Sequence, residues 1–120
     1  MTREELLEFI YDDLQRVLKI FESKNQAYGN DRDGFYNFRE TARRLGGQAP
    51  TAERIFGVLL TLADKHWVAL MQGGTRTDEA ADRLLDVVVY ALIGRAMLAE
   101  IGKNAVSGEA DPWELEELVG

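Results

Sequence analysis

Apolar residues in the first part of the chain return at helical intervals. Leu6, Leu7, Ile10, Leu14, Val17, Leu18 and Phe21 fall on one side of a 3.6-residue repeat, and Glu8, Asp12, Gln15, Lys19 and Glu22 fall on the other. Thr2 stands three residues before Glu5, the spacing at which each side chain can reach the other's backbone N–H. The pattern predicts a long amphipathic helix that ends near Lys24. The next ten residues, "NQAYGNDRDG", hold two glycines, two asparagines and two aspartates, which is loop chemistry.

Three further helical stretches follow. Phe35, Phe38, Ala42 and Leu45 share one face of a shorter helix that Gly46 and Gly47 stop. After Pro50, Thr51 caps a third helix with a broad apolar surface: Ile55, Val58, Leu59, Leu62, Ala63, Val68, Ala69 and Leu70. Gly73 and Gly74 end it. Thr77 caps a fourth, with Asp78 and Glu79 in its first turn, where carboxylates oppose the positive end of the helix dipole. Its predicted apolar face is Leu84, Leu85, Val88, Ala91, Leu92, Gly94, Met97 and Leu98, and Gly102 is its expected stop. "KNAVSGEA" then reads as a linker. Asp111-Pro112-Trp113-Glu114 has the cap, proline and acidic order of a helix start, and Trp113, Leu115 and Leu118 are its docking residues.

No run alternates with period two, so no sheet is predicted. The expected architecture is all-α: a four-helix-bundle-like domain over 1–102, with a linker and short acidic C-terminal helix over 103–120. Helices 3 and 4 are apolar over arcs wider than one small bundle covers. A homodimer or homotetramer sharing those helices is therefore expected.

Composition narrows the function classes. The chain has 120 residues and no cysteine, which excludes disulfides, thiolate metal sites and a cysteine nucleophile. Its net charge of −7 argues against holding a nucleic acid polymer through its phosphates. No apolar run approaches the roughly 20 residues that span a bilayer, and no signal-peptide order is present, so a cytoplasmic protein without a membrane segment is expected.

The chemistry concentrates on the fourth helix. Glu79, Asp82 and Asp86 stand at i, i+3 and i+7, with Tyr90 at i+11, in one stripe. Three carboxylates in line repel one another unless something positive covers them. Mg²⁺, a hard cation that takes oxygen ligands, is one answer; a solvated acidic face with Asp86 paired to a basic side chain is the other. Asp86 is the hardest to leave in water, because Val87, Val88 and Val89 follow it directly. Lys65, inside the apolar third helix, can reach Asp86 or contact a ligand phosphate as a point charge. The lone His66 reads as a surface or hydrogen-bonded histidine rather than a metal ligand. In the loop after helix 1, Tyr28 can stack on a base or plug the end of the bundle. Gly29 suggests a turn with positive φ. Asn25 and Asn30 can bind a base or satisfy their own backbone.

Taken in order, "KNQAYGN", "FYNF", "LLTLADKHW" and "DRLLDVVVYAL" resemble the small phage and bacterial helical proteins called nucleotide-modification-associated or MazG-like. The resemblance covers roughly residues 20–100 and rests on Lys24, Tyr28, Gly29, Lys65, Asp82, Asp86 and Tyr90. It implies a MazG-type fold and Mg²⁺-dependent cleavage of a nucleoside triphosphate to a monophosphate and pyrophosphate. Asp82, Asp86 and Glu79 would hold metal. Asp86, Asp82 and Lys65 would serve catalysis, and Lys24, Tyr28, Asn30 and Tyr90 would contact a nucleotide or other small phosphorylated ligand. The chain departs from the family's pattern at two places. Arg83 stands where a Glu three residues before Asp86 is wanted, and the third helix has no Glu-x-x-Glu. Without turnover, the same residues would make a nucleotide-binding module. A structural helical dimer fixed by a Lys65–Asp86 pair is the third reading.

Overall fold

The computed structural model describes residues 1–46, 50–73 and 77–107, apart from the side chains of 25–27, 77 and 104–107. The expected C-terminal helix lies outside the described residues. Four helices follow one another, α1 (Arg3–Tyr28), α2 (Tyr36–Gly46), α3 (Ala52–Gly73) and α4 (Thr77–Ser107), and no strand occurs among the described residues.

Two of the predicted caps form where the backbone needs them, at Thr2 and Thr51; the predicted Thr77 cap rests on a side chain outside the described residues. The Glu5 N–H donates to Thr2 Oγ1 at 3.2 Å and the Thr2 N–H to Glu5 Oε2 at 3.0 Å, so two donors at the start of α1 are satisfied reciprocally. The Arg54 N–H donates to Thr51 Oγ1 at 3.2 Å at the start of α3. Two helices overrun their expected ends. α1 continues four residues past Lys24 to Tyr28, because that extra turn carries Tyr28 into the core. α4 passes through Gly102 to Ser107. Ile101 packs against the core just before the glycine, and a mid-helix glycine costs only about 1 kcal/mol against alanine.

α3 and α4 pack along each other most extensively, α2 lies on α3, and α1 leans on α4 and α2. The core runs between them: Val17 and Tyr28 from α1, Phe38 and Ala42 from α2, Ala52, Ile55, Val58 and Leu59 from α3, and Val89, Ile93 and Met97 from α4. Gly94 lets α3 side chains approach α4 closely, since a Cβ there would lie 3.2 Å from Leu59 Cδ2 and 3.4 Å from Phe56 Cε2.

The apolar faces of two helices differ from those predicted. On α4 the inward side is Val89, Ile93 and Met97, whereas Leu84, Val88, Leu92 and Leu98 are exposed. On α1 only Val17 of the seven predicted face residues is buried, and every residue from Met1 to Asp12 is exposed. The body formed by the other three helices meets α1 only along its C-terminal half.

The connection from α1 to α2 is built from its own polar groups. Asn30 Oδ1 accepts from the Arg32 N–H at 3.0 Å and the Asp33 N–H at 2.8 Å, and Asp33 Oδ1 accepts from the Phe35 N–H at 3.0 Å. Asp33 also pairs with Arg39 at 3.1 Å, which ties the loop to α2. Gly29 is required here for space and not for a positive φ. A Cβ there would stand 2.3 Å from the backbone of Gly34, and the Gly29 φ lies outside the left-handed region.

Candidate functional site

One end of the α1–α3–α4 contact gathers most of the molecule's unusual polar chemistry. Asp86 on α4 projects toward the last turns of α1, where the Lys24 ammonium donates to its Oδ1 at 3.5 Å. Its second oxygen lies 3.8 Å from Nδ1 of His66 on α3. Arg83, one turn before Asp86, donates from its guanidinium to the same Nδ1 at 3.1 Å. The Asp86 side chain is 24% exposed and that of Lys24 is 53% exposed, whereas His66 as a whole is 6% exposed. The cluster therefore opens to solvent on the lysine side and closes on the histidine side.

The hydrogen bond from Arg83 defines the state of the ring. A guanidinium has no lone pair to offer, so Nδ1 must accept, and the proton of a neutral imidazole sits on Nε2. The electrostatics agree. Burial pushes the His66 pKa below 6.5, with Lys65, Arg83 and Lys24 pushing the same way and Asp86 opposing them. A ring without a proton on Nδ1 cannot donate to Asp86. The carboxylate thus depends on Lys24, with Arg83 nearby, for its positive company.

Aromatic rings form the wall beside these groups. Tyr28 stacks between Phe21 and Phe38, with centroids at 5.9 and 6.2 Å, and meets the edge of Tyr90 at 5.8 Å. Tyr90 in turn lies 5.7 Å from the His66 ring. Burial, reinforced by Tyr90 and Asp86, pushes the Tyr28 phenol up to about 12. Burial, with Asp86, also raises that of Tyr90. Both phenols stay protonated at neutral pH and can act as donors.

The residues named from sequence separate into two groups here. Lys24, Tyr28, Asp86 and Tyr90 converge. Asn30 spends its side-chain oxygen on the loop backbone beside them. Lys65 is exposed, and Asp86 faces Lys24 in its place. Lys65 reaches the cluster only through its field on His66. Asp82 and Glu79 continue the α4 stripe outward, both exposed. Glu22 is also exposed and lies two residues from Lys24, so it points to the other side of α1.

His66 and Arg83 were not singled out as site residues. His66 looked ordinary because one histidine in an apolar helix carries no pattern. Arg83 read only as a departure from an acidic motif. Its spacing of three from Asp86, which puts both on one face of α4, was the available signal.

Among the described residues no group of three or more His, Asp or Glu side chains is placed to hold a metal ion. Asp86, the least exposed carboxylate of the α4 stripe, already has an ammonium on one oxygen. No family model, curated protein or solved structure matches this chain.

Proposed function

We propose that the protein binds a nucleotide or similar small phosphorylated ligand at the Lys24–Asp86 end of the bundle. One observation carries the reading: two cations from different helices, Lys24 and Arg83, converge beside a partly open carboxylate and a wall of aromatic rings. An incoming phosphate competes with Asp86 for Lys24, and the partly exposed ring of Tyr90, backed by the buried Tyr28, offers an apolar surface against which a base or sugar can rest. The pair is exposed enough to exchange partners, because a half-exposed ion pair is worth only about 0–1 kcal/mol. Binding of this kind needs no metal cage.

Mg²⁺-dependent hydrolysis of a nucleoside triphosphate is the second reading. It is favoured by Glu79, Asp82 and Asp86 sharing one stripe of α4, with the first two exposed. It requires Lys24 to leave Asp86.

Calorimetry with a panel of NTPs and dNTPs, with and without Mg²⁺, separates the readings. The expected result is binding without Mg²⁺, no pyrophosphate released, and at least ~10-fold weaker binding by Lys24→Ala, the loss of one charge-assisted contact. Pyrophosphate release that requires Mg²⁺ would transfer the case to the second reading. Absence of binding under both conditions would remove both.

A further inference from the structure

The least accounted-for surface of the molecule is on α1. Val17, Ile20, Lys24 and Tyr28 form the stripe that meets the body. Beside it runs a second stripe that the described residues leave largely uncovered: Leu7, Tyr11, Leu14, Leu18 and Phe21, each 41–67% exposed, with Phe21 stacked at one end on Tyr28. Their spacings are four, three, four and three, the a/d order of a coiled-coil seam, and no charged residue interrupts it. The seam is roughly 21 Å long at 1.5 Å per residue. At its lower end it opens into an apolar groove of about 280 Å³ between α1 and α4, where Leu18 and Phe21 face Leu92. Leu92 is itself about half exposed.

Such a face is unsuited to water. A monomer rarely shows a contiguous apolar patch beyond a few hundred Å². Six large side chains, each about half exposed and running into one groove, reach that scale. They supply the apolar centre that an interface of about 800 Å² per partner needs. The first turns of α1 add a second argument. Residues 3–12 are all exposed, so these turns of α1 carry their apolar side chains past the body with no described residue burying them.

We propose that the occupant of this face is a second copy of the chain, with the two α1 helices paired through Leu7, Tyr11, Leu14, Leu18 and Phe21. A heptad seam meets an identical seam by two-fold symmetry, so one patch covers both copies. This places the dimer contact on α1 and the edge of α4; the α3–α4 seam itself is packed within the chain, with Leu60, Trp67, Val68, Met71 and Leu98 exposed on the outer sides of those helices. The inference does not depend on the ligand reading. It does bear on the same helix, because pairing fixes α1, and α1 supplies Lys24 and Tyr28.

Sedimentation velocity of the full chain at micromolar concentrations is the test. The wild type is expected at the mass of two chains. Leu14→Glu is expected to weaken association at least ~30-fold, as for the loss of a central interface side chain. A wild type that stays monomeric, or a Leu14→Glu variant that remains dimeric, overturns the proposal. Hydrogen exchange of the wild type keeps the test decisive if the variant folds poorly. Amides over 7–21 should gain protection as concentration rises, while those of α3 stay constant. Equal or absent gains in both would contradict the assigned face.

Discussion

His66 carries the most information of any single side chain. It is buried, neutral and held by a donated hydrogen bond from Arg83, with Asp86, Lys24, Lys65 and Tyr90 as its other neighbours. Its folded pKa lies below 6.5, so the unfolded chain takes up the proton first as pH falls. The His66 contribution to stability is therefore complete above about pH 6.5 and is lost as pH falls toward the folded pKa. Urea unfolding at pH values on either side of 6.5 checks this. The wild type should lose more stability on acidification than His66→Gln, whose amide oxygen can still accept from Arg83 but does not titrate. Equal losses would mean that the ring is not held neutral by its surroundings. The residue scale also shows what sequence spacing reveals. The stripe of Glu79, Asp82, Asp86 and Tyr90 was legible, since it follows from helical period alone. The partner of Asp86 was not. Lys24 lies 62 positions earlier, and only the docking of α1 on α4 brings the two together.

At the level of elements, caps and breakers were the most legible features. Thr2 with Glu5 and Thr51 with Arg54 formed the expected hydrogen bonds, because these depend on residues within one turn. The ends of α1 and α4 were less legible, since Tyr28 and Ile101 gain burial that local propensity does not register. Gly29 makes the same point for loops. The residue type suggested a positive φ, but the actual demand is for space between two backbone segments that meet at the α1–α2 connection. Gly29→Ala should therefore cost upwards of ~3 kcal/mol, because the backbone of Gly34 cannot move aside as a side chain can. Gly94→Ala should cost clearly less, because the contact there is a leucine methyl at 3.2 Å. Chemical denaturation of the two variants measures the difference. A tolerated alanine at position 29 would show that the loop relaxes.

For the whole molecule, the periodicity established an all-α protein of four packed helices but not which stripes would be covered. An apolar arc on α1 counts the same in a helical repeat whether the body, a second chain or water lies against it. Only Val17 of the predicted α1 face is buried, and Leu7, Leu14, Leu18 and Phe21 from the remainder, joined by Tyr11, form the seam assigned to a second copy. The polar cluster sits at the other half of the same helix, so α1 joins the proposed ligand site to the proposed interface. On α4, Arg83 three residues before Asp86 holds His66, while Lys24 from α1 covers Asp86.

The lone histidine offers a direct readout of the central claim, that a phosphorylated ligand enters beside Asp86. With one histidine in the chain, the imidazole C–H resonances in an NMR spectrum belong to His66. Titration with dNTPs in the absence of Mg²⁺, and with pyrophosphate as the phosphate-only probe, should shift those resonances saturably in the wild type. In Lys24→Ala the shift should require at least ~10-fold more ligand. Unmoved His66 resonances at millimolar nucleotide, or an identical titration in the Lys24 variant, would contradict the account.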